Sequence, residues 1–256
     1  MKQQLNVLYD QQYDLRTDVY LPDKPTATII DIHGGGWFRG DKSKDADWAQ
    51  RLTKLGYVVV VPNYRMTPEA YYPAPLEDMD QLMSWLNHQP FPKQLAAVGG
   101  SAGGNMAIEL AIKYGIPAVS LSGIIDIEEW LAHHEAVDAR QGDTSQFNHQ
   151  ASAEINQTGS NDEFYKWFVT NYFDGRTDQY HLASPAYRVT DTTGPMYLAN
   201  SLNEFVPNSG VQQIATAMSE NQVPFTMRLL TGQRHGKGYL DDVFDDVVAF
   251  LARNLG

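Results

Sequence analysis

The chain reads as an α/β protein, a mostly parallel sheet of about eight strands flanked by helices, and three observations lead there. Short apolar runs recur at 29–32, 57–61, 95–98, 118–121, 196–199 and 225–230, each separated by enough chain for a crossover. Several of them are apolar at every position, as strands covered on both faces are. Between the runs lie helical repeats: Trp48, Leu52 and Leu55, ended by Gly56; Met79, Leu82, Met83 and Leu86; Ala107, Leu110, Ala111 and Tyr114. A strongly amphipathic segment carrying Leu240, Val243, Phe244, Val247, Val248 and Leu251 closes the chain. Ahead of the parallel part, Leu5–Tyr9 and Leu15–Tyr20 read as an antiparallel edge. The 256 residues suffice for one α/β domain, 1–256, with a large core, and contain no internal repeat.

Composition narrows the function classes. Acidic residues outnumber basic ones 31 to 19, which argues against nucleic acid or an anionic membrane as partner. No apolar stretch approaches the length of a membrane span, and the first residues lack the apolar core of a signal peptide. Cysteine is absent, so neither disulfides nor thiol chemistry arise, and the expected location is cytoplasmic. Oligomeric state is left open.

One stretch breaks the alternation. Residues 127–193 far exceed a single crossover; Asp138 to Asp162 is polar, and Phe164 to Phe173 is strongly aromatic. An insertion there is expected to lie above the C-terminal ends of the strands as a small cap. Trp37, Trp130, Trp167 and Phe168 are candidates for the wall of a pocket beneath it; the alternative is that the aromatic residues simply anchor the insertion to the core.

Gly99-Gly100-Ser101-Ala102-Gly103 is a G-x-S-x-G directly after an apolar strand and before a helix-prone segment. Such a turn strains the serine backbone, lifts its oxygen clear of the sheet, and sets it at a helix N-terminus that favours negative charge. Upstream, Thr28 to Ile32 runs into His33-Gly34-Gly35-Gly36-Trp37. Three consecutive glycines let backbone N–H groups converge on one oxyanion, and the spacing of phosphate-cradling loops is not met here.

A nucleophilic serine needs a base and an acid that orients it. Of seven histidines, His235 is best placed, in a loop between the alternating strand at 225–230 and the amphipathic final helix. His33 reads as a hydrogen-bonding group within its loop, and His88, His133, His134, His149 and His181 read as surface or cap residues. His133-His134-Glu135 does not have H-E-x-x-H spacing, so no metal site is assigned. The acid has two candidates. Glu204 follows the penultimate strand, and its extra methylene requires the loop to sit slightly farther back than for aspartate. Asp126 ends the preceding strand and could equally be a helix cap.

Taken together, these residues resemble α/β-hydrolase esterases of the hormone-sensitive-lipase-like and bacterial feruloyl/acetyl-esterase-like groups. His33 to Trp37 with Arg39-Gly40-Asp41-Lys42 is similar to their oxyanion loop, and Gly99 to Gly104 to their nucleophile turn. Tyr64-Arg65-Met66-Thr67-Pro68-Glu69 followed by Pro73-Ala74-Pro75-Leu76-Glu77-Asp78 resembles the block between those two motifs. Asn203 to Pro207 and Arg234-His235-Gly236 match the acid and base loops in the order Ser, acid, His. The resemblance runs from about Ala27 to His235, and it departs at Glu204, where these families more often carry Asp. It implies an α/β-hydrolase fold with a small cap and an oxyanion hole from the amides of Gly35, Gly36 and Ala102. It implies acyl transfer through an acyl-enzyme on Ser101, with a small-molecule ester as substrate and no metal or organic cofactor. An arylformamidase-like amide hydrolase, a small peptidase and a catalytically silent ligand receptor remain alternatives.

Overall fold

The computed structural model describes residues 1–145, 152 and 159–256. Its strands are β1 (Lys2–Asp10), β2 (Leu15–Leu21), β3 (Ala27–Ile32), β4 (Tyr57–Pro62), β5 (Leu95–Gly100), β6 (Ala118–Leu121), β7 (Met196–Ser201) and β8 (Phe225–Leu230). They form one sheet in the order β1-β2-β4-β3-β5-β6-β7-β8. β2 is antiparallel to both β1 and β4, and every other pairing is parallel, so the antiparallel edge and the parallel body both match the sequence expectation.

The helices are α1 (Ala46–Lys54), α2 (Ala74–Asn87), α3 (Ala102–Tyr114), α4 (Glu128–His133), α5 (Asp162–Tyr172), α6 (Tyr180–Ala183), α7 (Asn208–Glu220) and α8 (Leu240–Leu255). Because side chains alternate along a strand, the sheet feeds two cores. Ile30 and Ile32 of β3, Val58 and Val60 of β4 and Ala97 of β5 face α2, α3 and α7. Ile29, Val59 and Val98 point the other way, onto Trp48 and Leu52 of α1 and Val243, Val247 and Leu251 of α8. Burial on both faces explains why β3 to β7 read as predominantly apolar runs. β8 departs from that expectation. It pairs along one edge alone, and Thr226, Met227 and Arg228 are exposed, which is why its sequence alternates.

Register places the site. Ile32 pairs with Gly99, Gly100 with Leu121, Leu121 with Ala199, and Ser201 with Leu230. The C-terminal ends of β3, β5, β6, β7 and β8 therefore lie level, and the loops carrying Gly34–Gly36, Ser101, Glu204 and His235 leave the sheet along one rim. The chain departs from β3 to β4 on one side and reaches β5 on the other, which opens a crevice at that end of the sheet.

Residues 127–193 carry α4, α5 and α6, and α5 rests on loops that follow β3 and β4. Tyr72 N–H donates to the Tyr172 carbonyl at 2.9 Å, and Asn171 Nδ2 donates to Thr67 Oγ1 at 2.7 Å. Part of the polar stretch, with His149, lies outside the described residues.

At the β5–α3 crossing a Cβ on Gly103 would fall 1.9 Å from the Ile32 carbonyl oxygen, and one on Gly99 would fall 2.4 Å from the Gly103 backbone. Both contacts are with backbone, so nothing can swing aside. Gly103→Ala should therefore cost about 3 kcal/mol or more in urea unfolding, the upper end for overpacking. Gly142→Ala, strained in φ but with open space around it, should cost about 1–2 kcal/mol. Equal stability of the two variants would contradict the crossing geometry.

Candidate active site

Ser101 joins β5 to α3 with φ 57 and ψ −124, a conformation few side-chain-bearing residues adopt. Its N–H donates to the Leu121 carbonyl at 2.9 Å, and its own carbonyl accepts from Asn105 N–H at 3.0 Å, so both neighbouring elements hold the strained turn. Although it occupies the N-cap position, its side chain makes no capping hydrogen bond. The hydroxyl is thus left to face a cavity of about 60 Å³, at the positive end of a thirteen-residue helix.

The glycine loop forms the adjoining wall of that cavity, with Gly34, Gly35 and Gly36 all lining it. Gly35 at φ +123 and Gly36 at φ +60 turn the backbone in ways L side chains resist, and a Cβ on Gly35 would strike the Arg39 carbonyl at 1.9 Å. Among the described residues, no backbone carbonyl takes up the N–H of Gly35 or Gly36. Ala102 is the first residue of α3, where an N–H has no acceptor within the helix. His33 takes no part in the cavity wall. It is buried, stacks on Tyr64 with centroids 4.4 Å apart, and its Nδ1 lies 2.8 Å from the Gly34 carbonyl; burial lowers its pKa, so it sits there neutral.

His235 lines the same cavity as Ser101. Its Nδ1 lies 2.5 Å from Glu204 Oε2; the carboxylate is buried and the imidazole partly so. Glu204 Oε1 accepts from Ser201 N–H and from Ser122 Oγ, each at 2.8 Å. The carboxylate is therefore fully engaged, with one oxygen on the imidazole and the other on fixed donors. Phe205 packs its ring against the imidazole at 4.2 Å. Asp126, the rival candidate, has its Oδ1 on the Trp130 N–H at 2.8 Å, where it caps α4.

Beneath this loop lies a charged cluster that sequence reasoning missed. Lys237, two residues past His235, buries its ammonium against Asp45 at 2.9 Å and Asp47 at 3.0 Å. Those carboxylates raise its pKa despite desolvation. Asp31, on β3 just before the glycine loop, is fully buried, and burial followed by the neighbouring Asp45 charge pushes its carboxyl well above the usual range. No spacing in the sequence links residues 31, 45 and 237; only the sheet brings them together.

The aromatic expectations need correction. Phe168 lines the cavity, joined by Phe38, Phe164 and Phe205, which the sequence did not single out. Trp37, Trp130 and Trp167 do not line it. Trp37 sits at φ +59 directly after Gly36 at φ +60, and that reversal carries its indole into the core, flat against Tyr172 at 4.0 Å. Trp130 stacks on His134 at 4.0 Å, and Trp167 packs edge-on against Phe38 at 4.8 Å. Trp167 lies one position before Phe168, about 100° round the helix, so the two cannot face the same space. The cavity's polar side holds Arg39, Lys44, Asp45 and Lys237. Burial pulls the Arg39 pKa down to about 10.

His133 and His181 are exposed, with Nδ1 on the Glu129 carbonyl and on Glu128, each at 2.8 Å. His88 is exposed too, with its Nδ1 2.9 Å from the Ser84 carbonyl, and His134 is half-buried against Trp130. Among the described residues, no group of three or more His, Cys, Asp or Glu is arranged to hold a metal ion, and no helix is long and apolar enough to cross a membrane.

The raised carboxyl of Asp31 has a measurable consequence. The folded state holds a proton that the unfolded chain releases near pH 4, so stability declines as pH rises from about 4 toward the folded value. Asp31→Asn removes that decline. Its melting temperature relative to the parent should move in the variant's favour between pH 4 and pH 7; a pH-independent difference would show that Asp31 is ionised in the fold.

A hydroxyl at a helix N-terminus, an imidazole fixed by a carboxylate and a glycine loop around one cavity are the parts acyl transfer requires. The comparisons agree with that assembly at the level of the family. A family model described as alpha/beta hydrolase fold matches residues 29–238. Versiconal hemiacetal acetate esterase of Dothistroma septosporum is 34% identical over 122 residues, 44% of this chain and 37% of that one. Arylacetamide deacetylase of Oryctolagus cuniculus is 35% identical over 107 residues, 36% of this chain and 27% of its own. Carboxylesterase NlhH of Mycobacterium tuberculosis is 31% identical over 113 residues, 40% and 35%. The matches thus span about a third of these relatives' lengths. Among solved structures, a truncated carbohydrate esterase from gut microbiota superposes with TM-score 0.75 at 19% identity, covering 100% of this chain and 96% of that one. The Pyrobaculum calidifontis esterase gives 0.73 at 20% identity, covering 94% and 82%. With a family model matched over most of its length and that fold shared from end to end, the chain belongs to the alpha/beta hydrolase fold family.

Proposed function

We propose that the protein is a serine carboxylesterase acting on small carboxylic esters with short acyl or aryl groups. One observation carries the reading: Ser101, strained and uncapped, shares a cavity with His235, whose Nδ1 is held by Glu204 at 2.5 Å. Ser101 attacks the ester carbonyl while His235 takes its proton, and Glu204 keeps the imidazole in the right tautomer and stabilises the charge it gains. The amides of Gly35, Gly36 and Ala102 receive the oxyanion. His235 returns the proton to the leaving alcohol and then activates water to release the acid.

Small substrates are favoured by the cavity's size and wall. A Cβ on Gly36 would already lie 2.9 Å from Phe38 and 3.2 Å from Phe168, so the aromatic wall stands directly against the glycine loop. Residues 127–193 act as a cap in this reading, since Phe164 and Phe168 of α5 contribute to that wall. No observation favours the amide-hydrolase or receptor alternatives, and a panel of p-nitrophenyl esters from acetate to laurate, with methyl ferulate and N-formylkynurenine, separates them. Turnover should peak at the short esters. Turnover of the formyl amide alone would point to a formamidase, and silence throughout would point to a receptor.

Ser101→Ala should lower kcat on the order of 10⁶-fold with folding intact, and an organophosphate should label Ser101 stoichiometrically. Glu204→Gln should lower kcat roughly 10⁴-fold, whereas Asp126→Asn should cost less than about tenfold. A Glu204→Gln enzyme near parental activity would remove Glu204 from the mechanism. Phe168→Ala should change the ratio of long-acyl to short-acyl rates by about tenfold or more, since each methylene in a pocket is worth about 1–3 kcal/mol. A uniform loss that tracks a fall in melting temperature would mean that Phe168 only packs the core.

A further inference from the structure

Ser122 is the first residue after β6, and its backbone sits at φ +55, in the region that favours glycine. Gly123 follows directly, so a flexible residue was available one position away. A buried serine held in a strained conformation points to a use for its side chain. That side chain meets three partners on two segments, the loop after β7 and the turn at residues 236–239. Its Oγ is 2.8 Å from Glu204 Oε1, accepts the Gly236 N–H at 2.8 Å, and lies 2.8 Å from Tyr239 Oη.

The protons can be placed. Tyr239 donates to the Ala199 carbonyl at 2.6 Å, and burial together with the nearby Glu204 charge pushes its phenol well above its ordinary value, so that proton stays. The Ser122 proton goes to the carboxylate, the stronger acceptor, while its lone pairs receive Gly236 N–H. One oxygen atom thereby ties the loop after β7 to the loop after β8.

We propose that Ser122 is a positioning residue for the esterase reaction, fixing the Glu204 carboxylate and the peptide next to His235 to a single point. The proposal rests on the roles given above to Ser101, Glu204 and His235. As the imidazole gains a proton from Ser101, attraction pulls Glu204 toward it and would draw the two loops together. Ser122 Oγ, with Ser201 N–H on the same carboxylate oxygen, holds Oε1 back and keeps Oε2 aimed at Nδ1. Gly236 N–H, bound to the same hydroxyl, fixes the backbone on the C-terminal side of His235. Ser122 does not line the cavity, so substrate binding should not sense it.

Ser122→Gly tests this by removing the hydroxyl while relieving the backbone strain at φ +55, which offsets part of the cost of the buried hydrogen bonds lost. With p-nitrophenyl acetate, kcat should fall roughly 10- to 100-fold, the range expected for losing a hydrogen bond to a charged group, with KM within about twofold. The fold should survive, with any fall in melting temperature smaller than in Ser122→Ala, and the downfield proton NMR resonance of His235 Nδ1–H should move upfield or broaden. Ser122→Ala should show the same loss of kcat, and Tyr239→Phe, which leaves the serine–carboxylate bond in place, a smaller one. Parental kcat in Ser122→Gly, or a loss of kcat with the resonance unmoved, would overturn the positioning role. Ser101→Ala is measured alongside. If it loses activity as expected, a normal Ser122→Gly enzyme sinks only this proposal; if it stays active, the esterase reading fails and the proposal with it.

Discussion

The turn from β5 into α3 is made in a single residue, across the end of β3, with backbone packed on backbone. That contact governs the rest of the site. Gly99 and Gly103 must lack side chains for the helix to cross so close, and Ser101 between them is forced to φ 57. Its oxygen is thereby raised off the sheet, and its hydroxyl is not consumed in capping. β3 is the neighbour being crossed, so the loop that leaves β3 arrives beside Ser101. A Cβ on Gly34 would meet the Gly100 carbonyl at 2.8 Å. The strained serine and the glycine loop are one packing solution, and neither could shift without the other.

On the far side of the cavity the constraint is electrostatic. The His235 loop is short and rich in glycine, with little side-chain mass to hold it. It is anchored through Gly236 to Ser122 and through Lys237 to Asp45 and Asp47. Burying an ammonium is tolerable where carboxylates surround it with good geometry, while burial and the neighbouring Asp45 charge drive the Asp31 carboxyl toward its neutral form against the pull of Lys237. Asp45 also faces the cavity, so the ion pair that braces the loop forms part of the substrate's surroundings. Phenylalanines share the same wall, with the Arg39 guanidinium over the Phe38 ring at 4.8 Å.

Much of this was legible in the sequence, because it depends on local chemistry. Which runs are strands follows from unbroken apolar patterns at 57–61, 95–98 and 196–199 and from mostly apolar ones at 29–32 and 118–121, and the antiparallel edge follows from its place before them. Ser101 and the glycine loop are local too: each requires glycines at fixed offsets, and the chain must spell them out. His235 could be placed because a loop between the last strand and the last helix leaves few positions for it. Glu204 and Asp126, by contrast, both follow neighbouring strands, and place in the chain favours Glu204 without excluding Asp126. Only the fold separates them, by giving Asp126 to the N-terminus of α4 and Glu204 to the imidazole.

What the sequence could not contain is the result of long-range register. The four tryptophan and phenylalanine candidates looked alike as apolar, aromatic and near the site, but facing the cavity is a question of tens of degrees. The reversal at Gly36–Trp37 sends Trp37 into the core, Trp130 of α4 is buried against His134, and α5 leaves Trp167 half-buried beside the cavity wall and Phe168 on it. Ser122, Tyr239, Lys237 and Asp31 are ordinary residues in the sequence, scattered over some two hundred positions. They become one network because β3, β5, β6, β7 and β8 end level with one another. The sequence by itself determined the elements and the groups that do chemistry, since propensity, periodicity and glycine spacing act over a few residues. The tertiary structure alone decided which side chains hold those groups in place, since hydrogen bonds and buried ion pairs act over a few ångströms between segments remote in the chain.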